Sequence, residues 1–511
     1  MGQPDIQLCG NEAEEDACMS VRVIYEDVAV GSAAAASVAA SSAMGISDPG
    51  MLPFGAFAGP VATTEQNQWV LNGTRKVKPA SEPVGFWSSQ RSGDDCAFET
   101  PPTIEISLDG QFTSLGIYFK FDGESGDYCS DLNLTWYNGE TQLATQQFFP
   151  NSGNYFCEKT VELYNKISIQ FNKTNLPNRP VKISLILFGI VREFERQELR
   201  SVEATEELNI ISDEVAINTL DFTLDSMDDI DFIFQEKQPV YAYNGKTMIG
   251  TFYIDDSTRV SKNVYNVSCI DALGILDEDP FAAAMYTNAN AKTVLEDIVG
   301  GHFTLELSEE LQTEKLTGYI PDCSRREALQ QAAFALRAVV DTSGTGNVKI
   351  WRLDESKPEE IPLQRLYTGG DVSTAAIVTE VRVTAHTYST SGSGSDTVEV
   401  GGKTYYHTSA VTTKQNPNIT ASTKPNVIEV KEATLVNSGN VEAVTQHVFD
   451  YYMRRQTHGV QIVMDQEMPG DYVTTTTPWE DQITGTITSM TIKLSGIAAA
   501  ECEIIGTGAS A

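Results

Sequence analysis

Period-two alternation, broken by short turns and seldom replaced by a helical stripe, constrains this chain more than any other feature. The pattern is densest between Ala216 and Asp277. Leu220, Phe222 and Leu224 would share one face of a strand, with Thr219, Asp221 and Thr223 on the other. A second strand ends at Tyr243, where Asn244-Gly245 supplies two residues that tolerate the positive φ of a tight hairpin. Met248 to Ile254 returns, a polar turn spans Asp255 to Lys262, and Val264 to Ile270 runs into Asp271-Ala272-Leu273-Gly274-Ile275-Leu276-Asp277. The stretch contains no histidine and no glycine-rich loop, so it reads as part of a self-associating β structure rather than a reaction site. Asn244, Gly245, Phe252 and Tyr253 are the candidate subunit-interface residues.

The rest of the chain repeats this pattern with interruptions. Residues 1–100 carry an Ala/Ser-rich run and then isolated aromatics among proline and glycine (Ile46 to Gly55, Gly85-Phe86-Trp87-Ser88), which reads as an extended arm. Residues 101–190 hold short alternating segments, among them Ile104 to Leu108, Gly116 to Phe121, and Leu132 to Tyr137 ahead of an Asn138-Gly139 turn. Several strands at such spacing predict a jelly-roll-like β-sandwich. Trp87, Trp136 and Tyr137 are its candidate carbohydrate or partner contacts, although such rings are more often core or interface residues. Val191 to Asp213 is rich in glutamate and reads as a solvated connector; a catalytic carboxylate pair would need a buried partner to split the two pKa values. In residues 286–352 the period changes. Ala291 to Val299 fits a short helix, and Ser324-Arg325-Arg326-Glu327 is a capping box before the stripe Ala328, Leu329, Ala332, Ala333, Leu336. Residues 353–511 are again β, with Ile377, Thr379, Val381, Val383 and Ala385 on one face and a helix from about Val441 to Arg454.

Charge narrows the function classes. The chain of 511 residues has 70 acidic and 35 basic residues, a net charge of −35. A nucleic-acid binder needs a basic footprint, and no Lys/Arg cluster stands out. An acidic surface can keep a protein soluble, or line a conduit that nucleic acid passes without sticking. The eight cysteines form no C-x-x-C pair, and the five histidines fall in no metal spacing, so no metal site, cofactor or catalytic residue is assigned. Cys323 precedes a helix that could lower its pKa, but lacks a neighbouring base. His447 and Asp450 share a helical face and read as an ordinary polar patch. Val28 to Ile46 is too polar to span a membrane, and no signal peptide is readable.

The block from about Val191 to Asp277, with Gly250-Thr251-Phe252-Tyr253-Ile254 and the Asp271-Ala272-Leu273-Gly274 ending, resembles tail hub (baseplate hub, tail-associated) proteins of tailed bacteriophages. Pro321 to Leu329 followed by Val348-Lys349-Ile350-Trp351 is similar to prophage proteins of Gram-positive bacteria. The resemblance implies a mainly β (α+β), multidomain chain. Two tube-like β domains, 191–285 and 353–511, would flank a helical module at 286–352, behind the arm and the sandwich. It further implies a non-enzymatic virion protein: a homotrimer closing the tail tube, with tube, distal tail, tape-measure and spike or fibre proteins as partners. DNA would pass its lumen unbound, and the protein would reside in the virion tail after assembly in the host cytoplasm. A carbohydrate-binding adhesin using the 101–190 sandwich is the alternative, and a secreted glycoside hydrolase a third reading.

Overall fold

The computed structural model describes residues 21–29, 31–56, 84–121, 126–226, 234–245, 247–392, 396–420, 422–494 and 499–508. It is mostly β and divides into two compact units, one of residues 25–192 and one comprising the residues before 25 together with those from 193 on.

In the first unit a seven-stranded sheet runs in the order Phe86–Trp87, Lys182–Leu187, Thr103–Phe121, Asn154–Thr174, Cys129–Asn138, Thr141–Phe148, with Ala36–Ala40 added to Thr103–Phe121. The two longest strands lose register between Ser107 and Gly116. Such bulges bend and twist a strand, and residues on both sides of the break feed one core: Ile104 and Ile106 before it, Ile117, Phe119 and Phe121 after it. Of the arm predicted for residues 1–100, the described residues from 31 on contribute to this unit. Ala36–Ala40 pairs in the sheet, and Leu52, Phe86 and Trp87 are buried.

The second unit is built on a 13-stranded sheet. From one edge its order is Asp371–Thr374, Gln456–Val463, Ala499–Gly508, Gln482–Lys493, Leu199–Glu207, Thr219–Asp225, Val264–Ile270, Thr247–Arg259 and Pro239–Asn244, then Val21–Val28 and Gly189–Glu195. Strands from both the 191–285 and the 353–511 block therefore lie in one sheet, while Glu380–Ser389, Thr397–Val400, Lys403–Gln415 and Val427–Val430 of the later block form a sheet of their own. The two blocks meet at an antiparallel seam pairing Glu203 with Lys493, Ala204 with Ile492, Thr205 with Thr491, Glu206 with Met490 and Glu207 with Ser489. The acidic run from Val191, expected to be a solvated connector, is two strands, because every second residue of Leu199–Glu207 from Val202 onward is buried.

The helices form as their local signals require. Ser324 Oγ accepts from Glu327 N–H at 3.1 Å and Glu327 Oε2 accepts from Ser324 N–H at 3.0 Å, starting helix Arg325–Leu336. Helices Ala291–Val299 and Val441–Met453 also form. Their apolar faces share a core with Val381 and Val383 of a separate four-stranded sheet. Asp271 to Asp277, read as the end of a strand, instead enters helix Ala272–Glu278. Asp271 Oδ1 accepts from Leu273 N–H and Gly274 N–H at 3.0 and 3.1 Å and so caps that helix.

Both predicted hairpins exist, with their turns one residue later than expected. Asn244 pairs with Thr247 and Asn138 with Thr141, so each asparagine closes the ladder and the glycine opens the loop. Gly245 and Gly139 adopt φ of 60° and 57°, a region where a Cβ is unfavourable.

Candidate functional site

The second unit buries an unusual set of polar groups where the seam meets the helical module. Asp271 is fully buried, and Glu206, Asn218, Asp341, Thr342 and Ser343 are each at most 3% exposed. Asn218 organises them. Its Nδ2 donates to Asp341 Oδ1 at 3.0 Å, its Oδ1 accepts from Glu207 N–H at 2.8 Å, and its carbonyl accepts from Asp271 N–H at 3.0 Å. Thr342 Oγ1 donates to Asp271 Oδ2 at 2.6 Å, Ser343 Oγ to Asp341 Oδ1 at 3.0 Å, and Lys349 Nζ to the Ser343 carbonyl at 2.7 Å. Burial pushes the Asp271 carboxyl up to about 7, against the pull of Thr342 and the backbone donors. Burial and then Asp341 hold Glu206 well above the usual carboxylate range.

Carboxylates with raised pKa values are candidates for acid–base work when they face a cleft. Asp271 has no exposed surface to offer a substrate, and its oxygens are occupied by a helix cap and a threonine. Glu206 borders a cavity of about 190 Å³ lined by Met248, Met464 and Met468. The arrangement fixes the end of a seam strand, a helix start and the 341–343 loop against one another. Asp271 was visible in the sequence as part of a motif; Glu206 was hidden in a run of glutamates.

A second network joins two strands of the four-stranded sheet. His386 Nδ1 and His407 Nε2 lie 2.9 Å apart, His386 Nε2 faces the Lys431 carbonyl at 2.9 Å, and His407 Nδ1 faces Asp396 Oδ2 at 2.5 Å. The Lys431 carbonyl oxygen and the Asp396 carboxylate oxygen are both acceptors, so the chain of contacts runs from one acceptor to the other through two imidazole rings. Tyr388 stacks on the His407 ring at 5.0 Å. Burial holds His386 below the ordinary histidine value.

The predicted contact residues fall mainly inside the protein. Trp136 is fully buried and Trp87 is 5% exposed, so neither ring presents a face to a sugar. Tyr137 is half-buried, with Lys166 Nζ 5.7 Å from its ring centroid. Phe252 is 2% exposed and belongs to the core; half-buried Tyr253 packs edge-on to Phe303 at 5.7 Å. Asn244 and Gly245 are half-buried at their turn. The Cys323 thiol is pushed up to about 11 by burial, Glu327 and Asp322, opposite to what a helix N-terminus alone would do. Among the described residues no group of three His, Cys, Asp or Glu is placed to hold a metal ion, and no helix is long and apolar enough to cross a membrane.

No protein-family model matches this sequence, and no curated protein matches it. Solved structures do. The tail protein from Neisseria meningitidis MC58 is 12% identical with a TM-score of 0.46, covering 61% of this chain and 93% of that one. The 43 kDa tail protein of prophage MuSo2 from Shewanella oneidensis is 11% identical with a TM-score of 0.43, covering 62% and 96%. Prophage tail protein gp18 from Listeria monocytogenes EGD-e is 11% identical with a TM-score of 0.41, covering 62% and 92%. Each of these three structures is described as a tail protein.

Proposed function

We propose that this chain is a structural tail hub: a homotrimer that closes the tail tube, docks distal tail, tape-measure and spike or fibre proteins, and serves host attachment and DNA ejection. The observation that carries the reading is the seam. The 191–285 and 353–511 blocks pair edge to edge through Leu199–Glu207 and Gln482–Lys493, so one chain already supplies two adjoining segments of a wall. Three copies would supply six, the count that suits a hexameric tube. Edge pairing between copies would protect strands that otherwise invite aggregation.

The remaining features support a wall rather than a reaction centre. The raised carboxylates are locked into strand and helix termini, and a net charge of −35 repels a DNA strand in transit. The arm, sandwich, helical module and two tube-like blocks are the working parts of this proposal. Light scattering on the chromatographed full chain tests it. A mass of about three chains is expected, and a strict monomer at every concentration would remove the hub reading.

A further inference from the structure

Arg337 Nε and His447 Nε2 are buried and have no hydrogen-bond partner among the described residues. Both side chains line one cavity of about 370 Å³, whose walls include Arg352, Arg454, Glu355 and Asp450. Two features of the fold bring them together. Ala443, His447, Asp450 and Arg454 recur every three or four residues and so lie on one face of the chain at helix Val441–Met453 and its C-terminal cap. Arg337 is the C-terminal cap of helix Arg325–Leu336 and adopts the left-handed conformation at φ 57°.

Among the described residues two of the charges lining the cavity, Arg337 and Asp450, are without an ion-pair partner. Arg454 grips Glu355 with both terminal nitrogens, and Glu355 Oε1 also accepts from Thr486 Oγ1 at 2.8 Å. Arg352 reaches Glu314 Oε1 at 2.9 Å and the Leu336 carbonyl at 3.1 Å. Asp450 Oδ1 accepts from Gln446 Nε2 at 2.6 Å. Arg337 makes no ion pair among the described residues; Glu314 and Glu310 act on it only from a distance. Burial, then Arg352, lower the Arg337 pKa, while burial, then Arg337 and Arg454, lower that of His447. Arg337 and Arg454 act on His447 as positive charges, opposed by Glu355 and by a hydrogen bond to the Ile210 backbone.

We propose that this cavity is an oxyanion site, in which a carboxylate or a tetrahedral anion sits between Arg337 and His447. A water molecule would occupy the unpartnered nitrogens but leave the Arg337 guanidinium without an ion-pair partner. An oxyanion answers both, and a planar guanidinium suits two oxygens at once. The same chemistry can come from a free anion or from an acidic side chain of a second copy of this chain, which carries 70 of them. The site does not depend on the tail reading.

The test uses the full chain, labelled at its five histidines, titrated with sulfate against chloride at equal ionic strength. Saturable sulfate binding should raise the His447 pKa by about one unit, a tenfold linkage, and exposed His302 should not respond. Arg337→Asn, chosen because asparagine accepts the left-handed conformation, should weaken sulfate about tenfold or more. His447→Gln should weaken it too, read by calorimetry. If His447 instead shifts with protein concentration in sulfate-free chloride, the occupant is a second copy's carboxylate. Sulfate acting no differently from chloride, with no concentration dependence, would overturn the proposal, as would undiminished binding by a folded Arg337→Asn variant.

Discussion

The two units bury charge in opposite ways. In the first unit, Asp127 and Lys182 form an ion pair at 2.9 Å with side chains 2% and 1% exposed, and Lys182 Nζ lies 4.7 Å from the Trp87 ring centroid. Arg179 adds a second cation 3.6 Å from Asp127, so the buried carboxylate is matched by opposite charge. In the second unit, Asp271 and Glu206 are buried among hydrogen-bond donors, with Lys349 as a contributing but not dominant cation. Carboxyls held up by burial make the junction between strand and helix depend on protonation.

The comparison breaks most sharply at Lys182. Lys182→Met removes the nearer of the two cations on buried Asp127 and leaves Arg179 at 3.6 Å; it should cost about 3 kcal/mol in denaturant unfolding followed by tryptophan fluorescence. A loss below about 1 kcal/mol would mean the pair is not the organising charge of that unit. In the second unit, Asp271→Ala removes the cap of helix Ala272–Glu278 and the acceptor for Thr342, with an expected loss of about 2–3 kcal/mol.

Asp271→Asn keeps the cap geometry and tests the charge alone. The folded Asp271 pKa is about 7 and lies above its unfolded value of 3.8. Its stabilising contribution is therefore present below the unfolded value and lost as pH rises through 7. The parent should lose stability between pH 6 and 8 relative to the Asn variant (about 1 kcal/mol or more), and equal slopes would show that Asp271 is not the titrating group.

Gly245→Val places a β-branched residue at φ 60° and should cost about 1–2 kcal/mol. If the chain assembles as the proposed trimer, the variant should also weaken that assembly more than monomer folding; native trimers from it would exclude the turn from the interface. The smallest effect belongs to His386. Its folded pKa is lowered, so protonation favours the unfolded state, and stability is lost as pH falls below the ordinary value of about 6.5. Hydrogen exchange in strands Glu380–Ser389 and Lys403–Gln415 should accelerate on acidification. His386→Gln should remove much of that response.

Much of the fold is legible locally. The capping box at Ser324 and Glu327, the stripes of two further helices and the two Asn-Gly hairpins are written in neighbouring residues, because each depends on the geometry of one turn of chain. The hairpin frames were off by one because an Asn-Gly pair fits a tight turn in two positions, and only cross-strand pairing chooses between them. Helix Ala272–Glu278 was missed because it follows a strand without a break, contains Gly274 and is too short to show a period. Tryptophan gives no local sign of which side of a sheet it occupies, so Trp136 could be read as surface when it is core.

The sequence alone determined the β class, the turns, the strongly capped helix and the acidic balance. Tertiary structure decided which of 70 acids lost their water, and that selection depends on distant partners. Asn218 meets Asp341 across 123 residues, Glu206 finds its place when the two β blocks join at the seam, and Arg337 and His447 reach one cavity from two helices. Alternation and capping are paid for by backbone geometry within a few residues, whereas the cost of burying a charge is set by everything that closes around it.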